Sequence, residues 1–315
     1  MTKTILHEAL PVIKWTPAMG KVSVPGVYDM PIEIYHSDIC EGPSISSSGL
    51  RLIEDKSPLH YWDTSPLNPD REPQQDKPYF NLGRAVHTLC LGEDGFATNY
   101  VVRPEEFSDW RTNAAKAWRA TQIEAGRTVL KPEDKITIKG IADRLKAHPL
   151  VRGGILSGEI ERSLIWKDAE TDVWLKSRPD VLPYGGELVA DLKTCAAADA
   201  DSTRRSINDY GYHMQLALCG IGMKAVLDRD ISDNDYALIF AETKRPFAIN
   251  VKPIGAEAIV YGRMQLRRAL RKFADCFRKK EWPGFDDDMI TAGLPAWRVK
   301  QLEAEATNGM LPKDF

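Results

Sequence analysis

The sequence predicts an α/β fold in which a mixed central sheet is flanked by helices, with a helical insertion ahead of that sheet. Three observations point there. Short runs rich in β-branched and aromatic residues cluster between residues 159 and 194 and again between 236 and 251, the signature of strands bounded by turns. Two long stretches, about 202–227 and 256–280, carry apolar residues at helical spacing. At 43% hydrophobic and 28% charged residues, the composition is that of a globular chain with material for a core.

Taken in order, the first thirty residues are rich in Pro and Gly, with Val22, Val24, Val27 and Tyr28 around Pro25-Gly26, and predict an irregular arm or an edge strand. Ser44 to Ser48 precede Gly49 to Glu54, where a serine N-cap opens a short helix that stops before Pro58. Between Asp63 and Pro78, four prolines (Pro66, Pro69, Pro73, Pro78) among Asp, Asn and Gln predict a long loop. Asn81 to Leu91 reads as a helix with Leu82, Val86 and Leu89 on one face. Residues 108–147 read as two or three helices, divided by Gly126 and by Pro132, whose following Glu133-Asp134 suits a helix N-terminus. Ile160 to Trp166, Val173 to Leu175 and Leu188 to Thr194 predict three strands in an antiparallel meander. Tyr236 to Glu242 and Phe247 to Val251 predict a hairpin turning at Lys244-Arg245-Pro246, and the tail after Pro283 reads as polar and weakly structured.

Several classes are excluded. No apolar run approaches the roughly 18 residues of a membrane span, and Met1-Thr2-Lys3-Thr4 leads into no signal-peptide core, so a cytoplasmic protein without a membrane partner is expected. The five cysteines (Cys40, Cys90, Cys195, Cys219, Cys276) form no CxxC pair, which argues against a disulfide framework, a zinc ribbon or a cysteine-held iron–sulfur cluster. A net charge of −3 excludes a wholly basic DNA coat. It leaves room for a nucleic-acid enzyme with a basic groove and acidic metal ligands.

The most chemical feature is Pro179-Asp180, followed after ten residues by Asp191-Leu192-Lys193. On a strand, residues two apart share a face, so Asp191 and Lys193 enter one site, with Asp180 alongside from the neighbouring strand. Two carboxylates and an ammonium suit phosphodiester hydrolysis: carboxylates hold Mg²⁺, and the lysine orients or deprotonates water and offsets developing charge. The bare triplet carries no weight, because Glu54/Lys56, Glu133/Lys135 and Glu242/Lys244 repeat it. A solvated ion pair is its alternative.

Arg178-Pro179-Asp180, Asp191-Leu192-Lys193-Thr194 and Tyr212-His213-Met214-Gln215-Leu216-Ala217 resemble the PD-(D/E)xK nuclease core of the RecE-like exonucleases (exonuclease VIII type), distantly related to lambda exonuclease and RecB-type nucleases. Ser46 to Ile53, Ser57 to Trp62 and Gly83-Arg84-Ala85-Val86-His87 resemble that family's N-terminal motifs. The resemblance implies a restriction-endonuclease-like fold, with Asp180, Asp191, the Leu192 backbone carbonyl and His87 as metal ligands and Glu161 as a further acidic candidate. It implies Lys193 as the catalytic lysine and Gln215 as the residue that positions the lysine or the phosphate. Where related nucleases often carry a tyrosine four residues after that glutamine, this chain has Cys219, which shifts attention to Tyr212. The implied activity is Mg²⁺-dependent (Mn²⁺ substituting) 5′-to-3′ digestion of linear double-stranded DNA. It leaves a 3′ single strand for a RecT-type annealing protein, in phage or prophage recombination within a bacterial host. A homo-oligomeric ring is implied by analogy. RecB-like single-strand or endonucleolytic cleavage at the same metal site, and a non-catalytic DNA-binding recombination protein, are the alternatives.

DNA contacts are expected from Arg178, Tyr212, Arg267 and Arg271. The last two belong to a helix whose stretch from Arg263 to Lys280 holds eight basic residues (Arg263, Arg267, Arg268, Arg271, Lys272, Arg278, Lys279, Lys280) against one acid, Asp275, which reads either as a solvated face or as a phosphate track. Trp110 and Trp118 read as core packing, with base stacking as the alternative, and His213, next to a site residue on a helix, is expected to face away. Because His87 and Gln215 must meet, one domain over 41–283 is expected, with the insertion at about 108–147, the arm at 1–40 and the tail at 284–315.

Overall fold

The computed structural model describes residues 10–72, 78–92, 95–107, 109–185, 188–285 and 291–310. In chain order the N-terminal part comprises β1 (Val12–Lys14), β2 (Gly26–Asp29), α1 (Ile32–His36), β3 (Ser44–Ser46), α2 (Ser47–Asp55), α3 (Pro58–Thr64) and α4 (Pro78–Cys90). The insertion follows as α5 (Phe96–Asn99), β4 (Tyr100–Val102), α6 (Asn113–Glu124), β5 (Thr128–Leu130), α7 (Pro132–Ala147) and α8 (Pro149–Arg152). The remainder is β6 (Gly158–Ile160), β7 (Ser163–Lys167), β8 (Trp174–Ser177), β9 (Val181–Pro183), β10 (Val189–Cys195), α9 (Ala200–Asp209), α10 (Tyr212–Leu227), β11 (Tyr236–Glu242), β12 (Ile249–Pro253), α11 (Ala256–Lys279) and α12 (Ala296–Thr307).

A five-stranded sheet runs β1-β2-β7-β8-β3 and a three-stranded sheet runs β10-β11-β12, with parallel and antiparallel pairs in both. The meander holds for β7 and β8, which pair antiparallel from Leu164↔Ser177 to Lys167↔Trp174. Its third strand departs from expectation. After Asp180 the chain forms β9, which pairs antiparallel with β6, and β10 then pairs parallel with β11 from Val189↔Tyr236 to Cys195↔Glu242. Parallel neighbours need a long crossover, and α9–α10 supplies it. The β11–β12 hairpin is antiparallel as expected.

Alternation along β10 and β11 sorts side chains between two cores. Val189, Leu238 and Phe240 pack with Leu50, Ile53, Leu164, Trp166, Met214, Leu218, Leu266, Leu270 and Phe273 against α2, α10 and α11. Ala190, Leu192, Ile239 and Ala241 face the opposite side, against Val86 of α4, Ile138 and Ile141 of α7, and Phe247. Buried on both faces, these strands read as near-continuous apolar runs, and Asp191 and Lys193 are the charged residues that interrupt that pattern in β10.

The predicted helix over 202–227 is two helices. Gly211 between them holds φ +60°, and a Cβ there would stand 2.9 Å from Arg51 Cδ, so a glycine serves both the left-handed turn and the close approach. The insertion contains α6 and α7, divided at Gly126 (φ +74°) by the short strand β5; Pro132 opens α7, and Asp134 accepts from the Lys131 amide at 2.7 Å. Within the predicted loop 63–78, α3 extends through Thr64 and turns follow to Asp70, while 73–77 lie outside the described residues. The tail forms α12, which buries no residue.

Candidate active site

Asp191 and Lys193 leave β10 on the face that meets α10, as their spacing requires. Gln215, in the first turn of α10, joins them: its amide nitrogen donates to Asp191 Oδ1 at 3.1 Å and its oxygen accepts from Lys193 Nζ at 3.2 Å. Lys193 also pairs directly with Asp191 Oδ2, closing a triangle in which amide oxygen meets cation and amide nitrogen meets anion. The Tyr212 ring lies 4.8 Å from Lys193 Nζ, a cation–π contact that braces the ammonium. Asp191 is 1% exposed; burial and the nearby Asp180 charge push its pKa up. Burial disfavours the Lys193 ammonium, but Asp191 and Asp180 outweigh it and hold the lysine charged.

A second group adjoins the first. Asp180, between β8 and β9, accepts from the Leu192 amide at 2.6 Å through Oδ2 and lies 3.2 Å from His87 Nδ1 through Oδ1. His87 comes from α4, whose Gly83 faces Thr194 of β10: a Cβ at Gly83 would sit 3.5 Å from Thr194 Oγ1. Glu161, in the turn between β6 and β7, adopts φ +54°, a left-handed conformation uncommon for a side-chain-bearing residue and associated with functional sites. Its amide donates to the Asp180 carbonyl at 3.1 Å, and its carboxylate accepts from Arg178 Nε at 2.7 Å.

Donor atoms of His87, Glu161 and Asp180 lie within 4.8 Å of one another. Burial works against a charged His87, yet the Asp180 carboxylate prevails and pushes its pKa up to about 9; burial raises Asp180, but His87 reverses this and holds it low. Burial first, and Asp180 second, raise Glu161. Two carboxylates and an imidazole converging at partly desolvated positions form a donor set that fits a hard divalent cation. Asp191 stands outside this trio, with its oxygens engaged by Lys193 and Gln215. Leu192 meets the site through its amide, which bonds Asp180.

A cavity of about 200 Å³ opens beside these groups, lined by Asp191, Gln215, Glu161 and Arg178, by Arg51 of the Ser46–Ile53 motif, and by Tyr35 and His36, which the sequence did not single out. Ser46, Ser47 and Ser48 at the start of α2 complete that wall. They reach the site because β3 pairs parallel with β8, Ser46 opposite Lys176, a long-range pairing with no local signal. Cys219 also lines the cavity.

The remaining predicted residues have protein partners. Arg178 donates through Nη1 to the Met30 carbonyl and Ser163 Oγ, both at 3.0 Å, in addition to Glu161. Arg267 pairs with Asp168 at 2.9 Å and Arg271 with Glu170 at 2.6 Å; Arg268 pairs with Glu54 and Arg263 with Asp233. A phosphate on this face of α11 must therefore compete with carboxylates. His213 faces away from the site, its Nε2 2.7 Å from Gln265 Oε1 on α11.

A mixed α/β fold with an acid–acid–lysine constellation, one acid between β8 and β9 and the other with the lysine on β10, defines the PD-(D/E)xK class, and comparison with known proteins agrees. Over residues 46–287 the sequence matches the family described as a PDDEXK-like domain of unknown function (DUF3799); the chain belongs to that family. Its fold is similar to the crystal structure of a candidate exonuclease from Eubacterium rectale, with a TM-score of 0.52 at 11% sequence identity, covering 85% of this chain and 94% of that one. Curated protein sequences give no match. Among the described residues no helix is long and apolar enough to cross a membrane.

Proposed function

We propose that this protein is a divalent-metal-dependent deoxyribonuclease of the RecE-like type that digests linear double-stranded DNA from 5′ ends. The observation that carries the hydrolytic part is the contact between two groups: the closed Asp191–Lys193–Gln215 triangle and the His87–Glu161–Asp180 donor trio, joined through Leu192, whose amide bonds Asp180 from between Asp191 and Lys193. His87, Glu161 and Asp180 would hold the ion, with Asp191 as the neighbouring carboxylate; Mg²⁺ would fit the oxygen-rich donors, and Mn²⁺ would substitute. When bound, the ion polarises the phosphate and lowers the pKa of coordinated water.

The chain's own groups do the rest. Lys193, held as an ammonium, sits ready to offset charge on the phosphoryl oxygens as they become more negative. Gln215 and Tyr212 fix its position, and fixed charge costs no reorganisation at the moment of reaction. Arg51 and the serines at the start of α2 offer donors to a phosphate entering the cavity. Arg178 keeps Glu161 in place.

Exonucleolytic action draws support from the similarity to the candidate exonuclease of Eubacterium rectale; polarity and the duplex substrate rest on the motif resemblance alone. So do cytoplasmic action in a phage-bearing bacterial host, a RecT-type annealing partner and a ring of subunits. The test of polarity is a linear duplex labelled at one 5′ end, incubated with Mg²⁺ or EDTA beside a closed circle. Release of labelled mononucleotide from the linear form alone is expected. Cutting of closed circles makes the enzyme an endonuclease, and preference for single strands makes it RecB-like.

A further inference from the structure

The insertion carries a second assembly of chemistry-bearing side chains. The segment after β4 lays Trp110 beside Trp118 of α6, with rings 13° from parallel and centroids 6.3 Å apart, and Phe107 approaches Trp118 at 6.0 Å. Trp110 itself precedes α6, so the pair is made by the fold of the loop and not by helical spacing. The guanidinium of Arg103 stands 5.5 Å and that of Arg119 5.3 Å from the Trp110 centroid. Arg111 nearby is paired with Asp109; among the described residues neither Arg103 nor Arg119 has a carboxylate partner. Arg103 Nε is buried without a hydrogen-bond partner.

Two cations beside one indole have no carboxylate partner among the described residues; Arg119 is exposed to meet an anion, and Trp110 and Trp118 are both only partly buried. A ligand that satisfies both carries negative charge and flat aromatic groups in alternation, which is single-stranded nucleic acid. A duplex keeps its base faces inside the stack and would use only the cations. The assembly is also tied to the site. Arg103 donates its amide to Leu130 of β5 at 2.9 Å, and Leu130 packs in one core with Val86 of α4, the residue before His87.

We propose that Trp110, Trp118, Arg103 and Arg119 form a platform for a single DNA strand, either the strand spared by digestion or the one being fed to the site. The choice of nucleic acid as partner rests on the nuclease function proposed above. The test is the affinity of a fluorescein-labelled oligothymidylate for the full chain in EDTA, where nothing is cut, measured by anisotropy across a salt series. Trp110→Ala is expected to weaken binding about tenfold or more, the loss of one stacked base. Arg119→Glu, at an exposed position, is expected to weaken binding and to flatten the salt dependence by about 0.7 in log–log slope for each phosphate it no longer neutralises. It carries the test if Trp110→Ala fails to fold. Unchanged affinity in folded variants overturns the proposal, as does an equal loss for blunt duplex, which marks general phosphate binding without stacking. Platform and nuclease stand apart: variant-sensitive binding with no cleavage when Mg²⁺ is restored upholds the platform alone, and cleavage with variant-insensitive binding upholds the nuclease alone.

Discussion

Gln215→Ala separates stability from catalysis at this site. The wild-type amide makes hydrogen bonds of 3.1 and 3.2 Å, both to groups that carry charge, and such bonds contribute roughly 1.5–3 kcal/mol each. Simple addition overstates the stability loss, because Gln215 lines an open cavity of about 200 Å³ and water can enter to bond Asp191. The expected destabilisation is therefore about 1–2 kcal/mol, a fall in Tm of a few degrees for a chain of this size. Water does not restore the position of Lys193, which keeps only Asp191 and the Tyr212 ring. Misplacement of a catalytic group by about 1 Å costs on the order of a hundredfold, so kcat on linear duplex is expected to fall about 10²-fold with KM little changed. Steady-state kinetics at saturating metal, with thermal unfolding alongside, measures both. A folded variant retaining kcat within threefold refutes the role given to the triangle.

Three further outcomes follow from the same structure. Glu161→Gln removes one charged donor from the trio of His87, Glu161 and Asp180 and is expected to weaken Mn²⁺ binding by at least tenfold in calorimetry; unchanged affinity excludes Glu161 as a ligand. Gly211→Ala adds a Cβ 2.9 Å from Arg51 at φ +60° and is expected to cost about 1–2 kcal/mol, read as the denaturation midpoint. Lys176, 3% exposed, donates to the Tyr35 and Ser37 carbonyls, and burial lowers its pKa from 10.5 to about 8 although Cys40 and Asp38 oppose the shift. The His36 pKa is lowered too, first by burial and then by the Lys176 charge. Between pH 8 and 10.5 the folded chain binds fewer protons than the unfolded one, so stability rises with pH in that window, by up to about 3 kcal/mol. The stability of wild type minus that of Lys176→Met is expected to climb from pH 8 to 10; a flat difference contradicts the assignment.

Local rules made much of the site legible. A two-residue spacing on a strand put Asp191 and Lys193 on one face, whereas Gln215, in the first turn of the second helix after that strand, was reached through its motif. His87 was reachable only through its motif, since nothing local brings α4 to β10. The sequence was silent where long-range topology decides: β10 chose β11 over β8, and the β3–β8 pairing carried Ser46, Ser47, Ser48 and Arg51 to the cavity wall. The left-handed Glu161 has no sequence signal, because glutamate rarely adopts that conformation and tertiary contacts with Arg178 and Asp180 impose it. The basic helix shows the limit of counting charge, for Arg263, Arg267, Arg268 and Arg271 face carboxylates from distant segments.

The central claim is that Lys193, fixed beside a divalent-ion site, stabilises the cleavage of a phosphodiester. Its most direct test is single-turnover cleavage of a linear duplex by wild type and Lys193→Ala, each at saturating Mg²⁺ and again in EDTA. A rate for wild type that EDTA abolishes, and that falls by about 10³-fold or more in Lys193→Ala at equal metal occupancy, is expected, in line with removal of a preorganised charge from the transition state. Cleavage that persists in EDTA, or equal rates for the two proteins, contradicts it.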